Sequence, residues 1–167
     1  MEKSTGDKKI NSAVFISGTG SNLKNLLNFS FKKNSPIKIN LILSSKQNAK
    51  GLKYAERYKI KKKIYNFRNK SITEKKILKD LKINKIKLIC LAGFMKILSK
   101  NFINNFKGQI LNIHPSLLPK YKGLNTHKRV LQNKEKISGC TVHFVTSKLD
   151  SGKIILQKKV RVKKKET

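Results

Sequence analysis

The sequence predicts an α/β fold: a Rossmann-like three-layer sandwich with a mostly parallel sheet and an antiparallel pair of strands at the C-terminal end. Three observations predict it. Short apolar runs (AVFIS, INLILS, KLICLAGF, IILQKKV) alternate with helix-like segments at intervals typical of parallel strands and crossover helices. A glycine turn, Gly18-Thr19-Gly20, follows the first run and leads into a helical pattern. The last two apolar runs are too close together for a helical crossover, so they should be antiparallel neighbours. With 167 residues, 38% of them hydrophobic, the chain can bury one sizeable core. No repeat or low-complexity linker interrupts it, so residues 1–167 read as one domain.

Each element follows from its local pattern. Ala13 to Ser17 is a buried strand, and Ser21 to Phe29 is a helix with Leu23, Leu26 and Leu27 on one face. Ile37 to Leu43 is a second strand, Gly51 to Tyr58 a short helix and Lys63 to Tyr65 a short strand. Thr73 to Ile83 carries Ile77, Leu78 and Leu81 at helical spacing, and Leu88 to Ala92 is the central strand. A helix around Lys100 to Phe106 precedes the strand Gln109 to Ile113, which delivers the segment His114-Pro115-Ser116-Leu117-Leu118-Pro119. Thr126 to Gln132 is a helix. Gly139 to Val145 and Lys153 to Val162 are the two late strands. All these apolar runs read as buried.

Charge is the most conspicuous feature of the composition: 40 Lys+Arg against 8 Asp+Glu, a formal net charge of +32. A nucleic-acid surface and a solvated lysine-rich surface both account for such a balance. Arginine, the residue of bidentate phosphate and base recognition, supplies only Arg57, Arg68, Arg129 and Arg161, and the lysines are spread along the whole chain, which favours a solvated surface. Specific nucleic-acid binding is therefore not expected. Cys90 and Cys140 lie in or beside apolar runs without paired spacing and read as reduced core residues, which fits a cytoplasmic location. No apolar stretch approaches the roughly 18 residues of a membrane span. The N-terminal MEKSTGDKKINS has no signal-like apolar centre. A soluble protein is expected, with no membrane partner.

Three loops carry chemistry. Ser17 to Asn22 sits between a strand and a helix, where free helix-terminal amides can hold a phosphate; an ordinary strand-to-helix turn has the same composition. Asn112 and His114 alternate on an extended strand and so offer an amide donor and an imidazole on one side, at the strand end where open α/β sheets place ligands. A structural hydrogen bond beside a proline turn is the plainer reading of His114. His127 and His143 have weaker claims, the first on a basic helix start and the second within a strand. The third loop, Thr146 to Gly152, places the carboxylate of Asp150 between two apolar strands in an acid-poor chain, although Asp-Ser-Gly is also ordinary turn chemistry. No Cys/His cluster suggests a metal.

Together these segments resemble a known family. ISGTGSNL (Ile16 to Leu23), LAGFMKIL (Leu91 to Leu98), NIHPSLLPKYKGLNTH (Asn112 to His127) and HFVTSKLDSGKIILQ (His143 to Gln157) are similar, in that order, to the phosphoribosylglycinamide formyltransferases of the folate-dependent formyltransferase superfamily. The resemblance spans Ala13 to Val162. It implies the formyltransferase fold and, in de novo purine biosynthesis, direct transfer of a formyl group from 10-formyltetrahydrofolate to the amine of phosphoribosylglycinamide through a tetrahedral intermediate. By the same resemblance, Asn112 and His114 stabilise the oxyanion, His114 donates the proton and Asp150 favours the protonated form of His114. The substrate phosphate falls on Gly20, Ser21 and Asn22. The folate falls on Met95, Lys96, Ile97, Leu98 and Asn112, on Thr146, Ser147, Lys148, Leu149 and Asp150, and on a basic residue before the third helix that ungapped counting identifies as Lys70. No metal is implied, and a monomer and a homodimer are equally compatible.

This chain departs from the pattern in three places. Lys122 stands where a proline is common, and Ser151 replaces a frequent glycine. The family continues past the last strand into another helix, whereas the sequence ends in Lys163-Lys164-Lys165-Glu166-Thr167, so the domain is expected to lack that helix. Two alternative functions remain at this level: another folate-dependent formyltransferase, such as one acting on methionyl-tRNA, and a degenerate domain that binds RNA or anions without turnover.

Overall fold

A computed structural model describes residues 9–163 of the chain. Twelve elements follow one another along the described residues: β1 (Ile10–Ile16), α1 (Ser21–Ser30), β2 (Ile37–Ser44), α2 (Leu52–Arg57), β3 (Lys61–Ile64), α3 (Lys70–Ile83), β4 (Leu88–Leu91), α4 (Lys100–Asn105), β5 (Gln109–His114), α5 (Thr126–Gln132), β6 (Ile137–Phe144) and β7 (Ile154–Arg161). The strands form one sheet in the order β3-β2-β1-β4-β5-β6-β7. Every pairing from β3 to β5 is parallel, and β6 pairs antiparallel with both β5 and β7. The fold is thus the α/β sandwich with a mostly parallel sheet that the alternation of runs predicts. Strand ends differ most at β1, which begins at Ile10 rather than Ala13, and at β3, which occupies 61–64 rather than 63–65.

Alternation along β1 divides the interior in two. Phe15 points to one face of the sheet and packs with Ile77 and Leu81 of α3 and Phe102 of α4. Val14 and Ile16 point to the other, against Leu23 and Leu27 of α1 and Ala55 of α2. All of these are at most 1% exposed. Removing a ring as deep as Phe102 costs about 3–5 kcal/mol in typical cores. Cys90 belongs to the second cluster, and burial pushes its thiol up to about 11, so it stays protonated and inert.

Two expectations are corrected here. β7, read from IILQKKV as a buried strand, is exposed along its whole length because it is the sheet's outermost strand and pairs on one side only; Leu156 is 64% exposed. Cys140, read as a core residue, lies inside β6 next to that edge and is only half-buried.

The strand order sets the ligand crevice. From β1 the chain steps outward through α1 to β2 and β3, then returns through α3 to β4 on the opposite side of β1. The loops after β1 and β4 consequently diverge at the C-terminal edge of the sheet, where open α/β sheets bind ligands. They are stitched together there: the Ser17 amide donates to the Gly93 carbonyl (3.1 Å), and the Met95 amide donates to Ser17 Oγ (2.8 Å).

Candidate active site

β5 brings two polar side chains to this edge. Asn112 and His114 are two residues apart, so the pleat places them on one face, as the spacing predicts. His114 is 4% exposed. Its Nε2 lies 2.9 Å from the Tyr121 carbonyl, which can only accept, so Nε2 carries a proton and Nδ1 is the nitrogen left for chemistry. Nδ1 faces Asp150 Oδ2 at 3.4 Å.

Asp150 sits in a left-handed backbone conformation (φ 44°) in the β6–β7 loop, a geometry aspartate tolerates better than most residues. Its Oδ2 also accepts the Gly123 amide at 2.8 Å. The carboxylate is therefore held by two loops at once. Among the residues around the cavity described next, it is the one acid.

His143 completes the cluster. The β5–β6 register pairs it directly with Asn112, and it is 2% exposed. Its Nδ1 donates to the Phe144 carbonyl (2.9 Å), which leaves Nε2 to accept from Asn112 Nδ2 (3.2 Å). The Asn112 amide is thereby oriented, with its second N–H free. His143 Nε2 also lies 3.7 Å from Asp150 Oδ1, so the carboxylate stands between two imidazoles. The sequence ranks His143 below His114 because a lone histidine in a strand reads as core. Only the strand register reveals its partners.

These four side chains line one cavity of about 610 Å³, within the range of about 300–1,000 Å³ typical of small-molecule sites. Gly93 to Leu98 after β4, Gly123 to Lys128 at the start of α5, and Val145 to Asp150 after β6 form most of the rest of its wall. Met95, Ile97, Leu124 and Leu149, all at least half exposed, stand around it, and apolar groups grouped in water at the mouth of a cavity mark a ligand surface. The expected residues Met95, Lys96, Ile97, Leu98, Thr146, Ser147, Lys148 and Leu149 all lie here, as does His127.

Gly20, Ser21 and Asn22 do not line this cavity; they form the start of α1. Gly20 has φ +80°, and a Cβ there would come within 2.6 Å of Gly51 Cα, so the position requires glycine on two counts. No side chain caps the helix, and the first intrahelical bond is donated by Lys24, which leaves the preceding amides available to an anion. Lys70, the remaining expected folate contact, is not brought to the cavity either. It is the first residue of α3, exposed, and absent from the cavity wall. Among the described residues no group of three or more His, Cys, Asp or Glu side chains is arranged to hold a metal ion, and no helix is long and apolar enough to cross a membrane.

Residues 10–167 match the model of the family described as formyl transferase. The chain is 43% identical over 158 residues to a phosphoribosylglycinamide formyltransferase of Haemophilus influenzae, covering 93% of this chain and 74% of that protein. It is 44% identical over 163 residues to the human trifunctional purine biosynthetic protein adenosine-3, covering 96% of this chain but 16% of that one, and it spans only 11% to 16% of the length of the trifunctional relatives it matches. Among solved structures, the phosphoribosylglycinamide formyltransferase of Brucella melitensis superimposes with a TM-score of 0.89 at 42% identity, covering 96% of this chain and 84% of that one. That of Anaplasma phagocytophilum gives 0.90 at 38%, covering 96% and 76%. The sheet order, the polar cluster at its C-terminal edge and these matches lead to one conclusion: this chain belongs to the formyl transferase family.

Proposed function

We propose that the chain transfers the formyl group of 10-formyltetrahydrofolate to the amine of 5'-phosphoribosylglycinamide, giving formylglycinamide ribonucleotide and tetrahydrofolate in de novo purine biosynthesis. The observation that carries this reading is the convergence of Asn112, His114 and Asp150 in one cavity. In the reaction the substrate amine attacks the formyl carbon, a C–N bond forms, and the carbonyl oxygen becomes an oxyanion. Collapse of the tetrahedral intermediate breaks the bond to the folate nitrogen, which needs a proton as the amine loses one. The free N–H of Asn112 is the donor for the oxyanion. His114 Nδ1 is where the proton is held and delivered, and Asp150 is the counter-ion beside it. His143 fixes the Asn112 amide so that it donates rather than accepts toward the substrate. No nucleophilic side chain is required.

The apolar wall and rim from Met95 to Leu98 and Thr146 to Leu149 suit the flat folate ring, with Lys96 and Lys148 beside its carboxylates. The amides of Gly20 to Asn22 suit the substrate phosphate. Lys70 has no structural support as a folate contact. The reading takes residues 1–167 as one cytoplasmic formyltransferase domain.

The test is a direct assay: purified protein with 10-formyltetrahydrofolate and phosphoribosylglycinamide should release tetrahydrofolate and formylated product, with methionyl-tRNA as the competing acceptor. His114→Ala should lower kcat by about 10²–10⁴-fold. Preference for the tRNA acceptor would overturn the substrate assignment, and full turnover in His114→Ala the mechanism.

A further inference from the structure

The turn Tyr121–Gly123 hands one backbone group to each of two reacting side chains. The Tyr121 carbonyl accepts from His114 Nε2 (2.9 Å), and the Gly123 amide donates to Asp150 Oδ2 (2.8 Å). A shift of this turn would therefore disturb both groups together. On its inner side the turn meets, besides these two groups, the hydroxyl of buried Ser116, which donates to the Lys120 carbonyl (2.7 Å) and lies 3.3 Å from the Tyr121 carbonyl. Tyr121 itself lies in the left-handed region (φ 55°), a conformation a tyrosine does not keep without external support.

The Tyr121 side chain is held from the opposite side. Tyr121 Oη donates to Glu135 Oε1 (2.8 Å) and accepts from Asn133 Nδ2 (2.9 Å). The Arg129 guanidinium lies over the Tyr121 ring at 5.3 Å while its Nη1 donates to the Lys122 carbonyl (2.7 Å). Glu135 is also within 3.1 Å of Lys120 Nζ, and the bonds from Tyr121 and Lys120 hold its carboxyl below the ordinary range, so it stays an acceptor. It is placed by the end of α5, where its amide bonds to the carbonyl of buried Val130. Neither Tyr121 nor Glu135 lines the cavity of the reacting groups.

We propose that Tyr121 and Glu135 are positioning residues: their bond, outside the cavity, locks the Tyr121–Gly123 turn and through it the proton-bearing nitrogen of His114 and the carboxylate of Asp150. The proposal rests on the formyl-transfer reading for its kinetic consequence, but not for its structural one. Without the anchor, the Tyr121 carbonyl moves from Nε2, and His114 is no longer held to one tautomer.

Two measurements test it in the full chain. Long-range ¹H–¹⁵N spectra of the ligand-free protein should show the proton of neutral His114 on Nε2. In Tyr121→Phe and in Glu135→Ala, both checked for folding by thermal melting, that signal should broaden into a tautomer mixture. In the formyl-transfer assay the same variants should lose about 10- to 100-fold in kcat with KM little changed. Glu135→Gln, which keeps an oxygen for the Tyr121 hydroxyl, should restore most of the loss. An unchanged His114 signal in Glu135→Ala overturns the proposal by itself, even if Tyr121→Phe fails to fold. Absence of turnover in the parent protein would count against the proposed reaction alone, since the ring signal still decides the anchor.

Discussion

Asn112 has two amide protons and one visible partner, His143 Nε2 at 3.2 Å. The second proton is what a developing oxyanion would meet. Asn112→Asp keeps the shape and replaces the donor by an acceptor beside Asp150, so kcat should fall by about 10²–10³-fold in steady-state assays of folded protein. A loss smaller than threefold would remove Asn112 from the oxyanion role. Asn112 and His114 were legible as an i, i+2 pair on a strand that ends at a proline, and Asp150 as a rare carboxylate in a short interstrand loop; local pattern favoured a structural hydrogen bond for His114 and an ordinary turn for Asp150, and the family resemblance is what joined the three. His143 and Tyr121 were not legible. The contribution of His143 depends on being opposite Asn112 across β5 and β6, and that of Tyr121 is made by its carbonyl, which no residue type announces.

At the scale of elements, Asp150 is placed by how tightly the β6–β7 connection closes. A Cβ on Gly152 would lie 1.7 Å from the Phe144 carbonyl oxygen, and the bond from the Phe144 amide to the Lys153 carbonyl closes the same spot. Gly152→Ala must open this connection. It should cost roughly 1–3 kcal/mol in urea unfolding, as overpacked sites do, and it should lower kcat because Asp150 moves with the loop. Stability and turnover both equal to the parent's would show that the loop relaxes freely. Two of the departures from the family pattern meet in this region: Lys122 Nζ donates to Ser151 Oγ at 2.6 Å, joining the loop that offers Gly123 to the loop that carries Asp150. Helices and strands were legible because their apolar periodicity is local, and the β6–β7 antiparallel pair because the gap is short. The exposure of β7 was not, since a run such as IILQKKV has the same composition at the edge of a sheet as at its centre.

Over the whole molecule, the charge of +32 surrounds a cavity with a single carboxylate, and Lys96, Lys128 and Lys148 lie along its wall. A field of that sign concentrates phosphate- and carboxylate-bearing substrates and is screened over a Debye length of about 8 Å at physiological salt. Raising ionic strength should therefore reduce kcat/KM for the proposed substrates and leave kcat nearly constant in initial-rate measurements. A salt-independent kcat/KM would make the lysines a solvated surface with no part in capture.

By itself the sequence determined the order of elements and the change from parallel to antiparallel strands, and its motifs, through the family resemblance, singled out Asn112, His114 and Asp150, which meet in one cavity. These rest on periodicity, loop length and motif, all of which act over a few residues. Tertiary structure alone decided that His143 belongs to the site, that Lys70 stands apart from it, that β7 lies at an edge and that Tyr121 and Glu135 brace His114 from outside. Each of these depends on residues distant in the chain meeting at one distance and one angle, and only closure of the sheet sets those.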